Sequence, residues 1–418
     1  MGKTVGVACA LVLLASTACG TATPSSSPPQ SSQSILASGP SLTPPSPSPS
    51  RTPLLSTPSV TPSTVASPSP TLSPPPSPVG SDLELDVHEI PKRFTSQLGF
   101  HVRSLGDWII WVASGALWRY RPGAGEPELV FRTAADDPIV DIAGSVAGFV
   151  FITQRSLGGS EPLFRWRLWY LAAPGDAPTL LDQFDNDTLP APTLAINDGW
   201  IAWTPYHGAG DQAVNELRVA AIDDLDHPVT LVSYPALDTN MWNPALYGDE
   251  LWYGIRQNDW DAGTEHPWIE MRNLADPAAA PQKYGEDLHA FMPAVNGEAV
   301  VWKSGPEDFS ALNSGQPYVY WRSSGTLEPI QDPHPASWDT AQVSYPSIGD
   351  RFVAWWDDYA TQFYVYDLQV RAVRKIAEYD PHSNTRALTP SVVGNLLTWI
   401  FSQNDNAPPV IRWAYLPE

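Results

Sequence analysis

Five of the eight histidines, His207, His266, His289, His334 and His382, fall in polar segments between apolar runs. Imidazoles so placed can ligate a metal or move protons, although no two of them have the tight spacing of a metal motif. Asp259-Trp-Asp261-Ala-Gly263-Thr-Glu265 sets oxygen ligands at alternate positions around a glycine. Asp259, Asp261 and Glu265 are therefore candidates for Ca2+ or another divalent metal, with a plain hydrophilic turn as the alternative. No other cofactor is implied. The aromatic and polar residues of the same segments, Tyr206, His207, Trp242, Trp260, Asp261, His266, Trp338, Asp357 and Tyr359, are the candidate ligand-binding set. Their rings could stack on the C–H faces of sugars, or fold back over their own loops. There is no Gly-x-Ser-x-Gly elbow, His-Glu-x-x-His pair, phosphate-binding glycine loop or dinucleotide fingerprint. A carboxylate pair for glycoside hydrolysis stays open, because acids are abundant in these segments.

Repetition of one phrase shows what must position these residues. A proline, two or three residues, a Gly/Asp/Asn turn and an apolar run ending in Trp appear as Pro192–Trp203, Pro244–Trp252, Pro293–Trp302, Pro346–Trp355 and Pro390–Trp399. Leu105–Trp111 fits without the proline, and Pro138–Phe151 fits with Phe in place of Trp. The turn residues Gly106, Gly148, Asp198, Gly248, Gly297, Gly349 and Gly394 are 42 to 52 residues apart, with a mean of 48. Short strands at this period predict an all-β fold, a seven-bladed β-propeller with four strands per blade; six or eight blades are the alternatives. Leu83 to Ile90 is strand-like and precedes blade one. It can complete blade seven, whose last strand the C-terminus lacks.

The predicted strand order sends short turns to one face and long, varied connections to the other. The candidate residues fall on the long-loop face and the channel mouth, where loops carry function on a constant scaffold. Trp111, Trp203, Trp252, Trp302, Trp355 and Trp399 repeat at one strand position and read as packing between blades. Trp242, Trp260 and Trp338 lie off the repeat, in the long loops.

The 418-residue chain divides in composition. Residues 21–80 hold 17 Pro, 18 Ser and 8 Thr, which predicts a disordered, extended linker over 20–80. All 45 acidic residues and 21 of the 23 basic ones lie beyond residue 80, a net charge of −24 on the predicted propeller, 81–418. That field repels phosphate backbones, so nucleic acid is not an expected partner. Residues 1–19 read as a signal peptide, with an apolar run from Val5 to Ala15. Its end, Ala15-Ser-Thr-Ala-Cys19, is similar to the lipobox of bacterial lipoproteins, which implies acylation of Cys19 and a partner in envelope lipid. Ser16 stands where Leu is usual, so full secretion remains open. Cys9 and Cys19 are the only cysteines, so the propeller needs no disulfide and offers no thiol.

Tyr345-Pro-Ser-Ile-Gly-Asp-Arg-Phe-Val-Ala-Trp-Trp-Asp-Asp358 followed by Phe363–Leu368 resembles the repeats of TolB-like bacterial cell-surface propellers. The helical N-terminal domain of TolB is missing. The expectation is an exported, lipid-anchored, monomeric propeller at the outer face of the membrane, binding a saccharide polymer or a protein without chemistry. The alternatives are a propeller enzyme on polysaccharide, a metal-assisted lyase or glycosidase with converging histidines, and an envelope assembly scaffold.

Overall fold

The computed structural model describes residues 71–72 and 82–418, apart from 159–162, 187–190, 209, 260–263, 306–314, 331–345, 358–361, 379–385 and 404–406. The predicted signal peptide and nearly all of the predicted linker lie outside the described residues. Seven sheets are present, and consecutive strands pair antiparallel within each. Blade one runs Leu98–Leu105, Trp108–Ala113, Ala116–Tyr120 and Glu128–Arg132, from inner edge to outer edge. The inner strands of blades two to seven are Ile139–Ser145, Leu194–Ile196, Thr239–Tyr247, Ala290–Val295, Ser347–Ile348 and Arg386–Val393. The fold is thus a seven-bladed β-propeller. Among the described residues the only helical segments are three single 3-10 turns.

A blade has two apolar faces because side chains alternate along each strand. Each face must therefore meet a neighbour. Seven hydrophobic clusters result, one at each blade-to-blade interface, so the core is itself a ring. The repeated tryptophans are its largest members, and all six are buried. Phe151 fills the same role in blade two. Trp252 departs from the expected pattern. It follows the two-residue turn Gly248–Asp249 one position earlier than Trp111 follows Gly106–Asp107. A one-residue shift turns a strand side chain to the opposite face. Trp252 accordingly packs toward blade five, and Tyr253 takes the place facing blade three.

The recurring proline also has a physical reason. In blades four, five and seven the inner strand is bulged, between Trp242 and Ala245, Phe291 and Ala294, and Leu388 and Ser391. Asn243, Met292 and Thr389 have positive φ there, at 48°, 62° and 47°. Each precedes the proline, which has no N–H to lose at a position the bulge leaves unpaired. Nearby amides are satisfied across blades: Asn243 N donates to Thr193 Oγ1 at 2.9 Å, Val392 N to Ser347 Oγ at 3.1 Å and Ser104 N to Ser391 Oγ at 2.9 Å.

Closure joins the two ends of the chain as expected, with a shorter strand. Only His88–Glu89 forms a strand, opposite Trp413 and Arg412. Ile90 N donates to Ile411 O at 2.9 Å, and Arg412 binds Glu89. The linker span holds one departure: Thr71–Leu72 pairs in parallel with Thr326–Leu327 at the outer edge of blade five.

Trp302→Ala opens a large void at the blade four–five interface. It is expected to cost about 3–5 kcal/mol in urea unfolding, with an unchanged slope if unfolding stays all-or-none. Trp108→Ala, at a partly exposed ring, should cost less than half of that.

Candidate functional site

The first halves of the inner strands, the ends of the second strands and the starts of the third strands lie on the long-loop face. Most of the described candidates come together there, across blades three to five. Trp242 lies within the inner strand Thr239–Tyr247, not in a loop. Its indole lies over the backbone of Gly254, where an added Cβ would be 2.9 Å from Nε1. The Arg256 guanidinium covers the same ring at 4.3 Å from its centroid. Arg256 Nη1 also donates to Glu265 Oε2 at 3.0 Å. Asn240, one turn of the pleat from Trp242, accepts from Tyr206 Oη at 3.2 Å. Burial pushes the Tyr206 hydroxyl well above its ordinary pKa, with the Arg256 charge opposing, so it remains a donor at all physiological pH values.

His266 is exposed on the third strand, Thr264–Asn273, and its ring centroid is 6.4 Å from that of His289. His289 opens the inner strand of blade five with a positive φ of 51°. His207 is turned into blade three, in the short strand Tyr206–His207. Its Nε2 is 3.3 Å from Glu216 Oε2, and its ring packs 5.2 Å from Phe184. Burial and then the Arg218 charge lower its pKa, against Glu216 and Asp182. His207 is thus engaged within blade three, while His266 and His289 lie side by side; His334 and His382 lie outside the described residues. The same holds for Trp260, Asp261, Trp338 and Tyr359. Asp357 ends a strand of blade six, Phe352–Asp357.

Of the metal candidates Asp259, Asp261 and Glu265, Asp261 lies outside the described residues. Glu265 is 3% exposed and its carboxylate answers Arg256, while Asp259 is exposed at the end of the second strand. Among the described residues no three His, Cys, Asp or Glu side chains gather as ligands.

Three residues, one pair and one arginine, were not singled out from the sequence. His101 and Asp141, on the inner strands of blades one and two, share a hydrogen bond of 2.5 Å from His101 Nδ1 to Asp141 Oδ1. Arg256 is the other omission. A polar residue within a strand otherwise turned to the core, as in Trp252-Tyr-Gly-Ile-Arg256, was its available signal. Burial acts to raise the Asp141 pKa. The charge and hydrogen bond of His101, the Arg103 charge and the Ile142 N–H together outweigh it and hold the carboxyl below its usual value.

Seven sheets joined in an all-β ring define the protein as a seven-bladed β-propeller. The chain is similar to the propeller domain of the trilobed protease from Pyrococcus furiosus, with a TM-score of 0.52 and 10% identity over 76% of this chain and 93% of that one; that domain is described as having an open velcro topology. It is also similar to the acylaminoacyl peptidase of Pyrococcus horikoshii, with a TM-score of 0.53 and 12% identity over 79% of this chain and 54% of that one. A third similarity is to an acylaminoacyl peptidase bound to Z-Gly-Gly-Phe-chloromethyl ketone, with a TM-score of 0.53 and 13% identity. The chain thus spans about half the length of those two peptidases. No protein-family model matches the sequence, and no curated protein matches it. The expectation of a non-catalytic, polymer-binding ring, with polysaccharide enzymes as its alternative, is overturned by these neighbours, which are parts of peptidases.

A depressed carboxyl pKa adds stability above its unfolded value, and that stability is lost as pH falls through the folded value. Asp141→Asn should therefore lower the melting temperature at pH 7. The gap from the native chain should narrow below about pH 4, the unfolded Asp value. A gap that widens with acid would contradict the assignment.

Proposed function

We propose that this chain is a peptidase-associated propeller that receives extended polypeptide at its channel mouth. The carrying observation is the likeness of almost the whole ring to propeller domains that belong to peptidases. The mouth has suitable chemistry. Trp242 and Arg256 form a stacked, partly exposed pair of mixed polarity, and the buried Tyr206–Asn240 hydrogen bond lies beside it. Extended peptide carries one donor and one acceptor per residue and is recognised by such mixed surfaces.

Binding of a fluorescein-labelled mixture of unstructured peptides to the full chain, followed by anisotropy, tests this. Asn240→Ala and Trp242→Ala should each weaken binding about tenfold, about 1.4 kcal/mol, without loss of the folded transition. Absence of any peptide binding by the native chain would overturn the proposal.

We also infer export with acylation of Cys19, on the strength of the Val5–Ala15 apolar run and the lipobox-like Ala18-Cys19. The resemblance of the repeat to TolB-like surface propellers supports the same address. Labelled palmitate should enter the native chain and not Cys19→Ser, which should appear in the medium. Equal labelling of both would remove the inference.

A further inference from the structure

The outer strand of blade three, Asp224–Pro235, has 12 residues, and eight of them are exposed. Its inner side pairs with Val214–Ala221; among the described residues no strand pairs with its outer side. Ala236 N donates to Ala213 O at 2.8 Å, so the amides of Tyr234 and Val232, at alternate positions before it, also turn inward. Ser233, between those two, is exposed and turns its N–H and C=O outward. Pro235 takes the next outward position, where a missing N–H costs the ladder nothing.

Sheet edges are usually guarded by charge, proline or a bulge. Here Asp226 and Pro228 stand before the pairing run and Pro235 ends it, with one register shift between Thr230 and Val232. Between these guards lies Val229-Thr-Leu-Val-Ser-Tyr234, uncharged, without proline and rich in strand-forming residues, with Val229 52% exposed. The outer strands of blades two and six are instead broken by charge, at Asp182 and Asp185 and at Arg374 and Lys375. Charge also selects what can cover the edge. Asp223, Asp224 and Asp226 are exposed at its start, and the chain has no Lys or Arg between Arg218 and Arg256. A second copy would bring the same charge to the edge. An extended segment ending in Lys or Arg brings the opposite charge.

We propose that this edge is a second polypeptide-binding site, distinct from the channel mouth. An extended segment of another protein adds along Val229–Tyr234 as a further strand, with its basic end against Asp224 and Asp226. Main-chain hydrogen bonds, among them that of Ser233 N–H, supply affinity, and the acidic end selects the partner.

Fluorescein-labelled peptides of alternating Val and Thr, ending in Lys or in Glu, test this by anisotropy and by hydrogen–deuterium exchange on the full chain. The Lys peptide should bind about tenfold tighter than the Glu peptide and slow exchange within Asp224–Pro235. Ser233→Pro removes the outward N–H and keeps the inward ladder; it should weaken the Lys peptide about tenfold with the melting temperature retained. Asp224→Lys/Asp226→Lys should reverse the preference between the two peptides. No binding, binding that Ser233→Pro leaves unchanged, or a preference that charge reversal does not invert overturns the site. Slowed exchange at Thr239–Tyr247 instead would move the peptide to the channel mouth, against this site and in favour of the other. Dimers of the native chain in sedimentation, lost in Ser233→Pro, would assign the edge to a second copy and overturn the proposal.

Discussion

Every blade of this protein is apolar on both faces, and that single fact governs the rest. A sheet with one covered face would leave half its core in water, at a cost of roughly 25 cal/mol for each Å2 of apolar surface. Only a closed ring gives each blade two neighbours. The seven separate clusters and the tryptophans between them are the result. Closure is for the same reason a condition of stability rather than an ornament of topology. The pairing of His88 and Glu89 with Trp413 and Arg412 lets the clusters on either side of blade seven exist.

Polar groups follow where the apolar stacking stops. Near the axis the inner strands have no partner on one side, and bulges break their ladders on the other. Hydroxyls of Thr193, Ser347 and Ser391 answer the amides set free. Asn296 reaches across in the same way, donating to Gly349 O at 2.6 Å. At the mouth, charged groups are held in the same close manner. Arg256 is divided between a ring face and a buried carboxylate, so its position is set by two neighbours at once. The surplus of acid is also less free than its total suggests. Asp182, Glu216, Glu250, Glu328 and Asp367 are each spent on an arginine.

The blade count and the closing segment were legible because turn and core residues recur at a fixed interval. Gly106, Gly248 and Gly394 adopt positive φ near 55°, which is what their place in the repeat demanded. Trp252 was misread for the opposite reason. Its spacing looked regular, but it stands one residue nearer to a turn of the same length, and strand geometry converts one residue into the other face. The mouth was less readable. Trp242 lies off the repeat in sequence yet within an inner strand, and Arg256 meets Glu265 only through the pairing of neighbouring strands. The His101–Asp141 pair joins two blades and residues 40 apart, a contact that no local pattern encodes.

The bond between Arg412 and Glu89 spans 323 residues of sequence. Loop closure over such a length, in an unstructured chain, carries an entropic penalty on the order of 5 kcal/mol beyond its constant part. Stacking the blades one after another shortens the loop that remains. The first strand of the ring to be synthesised is thus the last to find its place, and closure of the ring must wait for Val410–Tyr415. Until then Ile90 and the third strand of blade seven have no cover, and the unfinished ring carries a sticky edge that a helper, or speed, must guard.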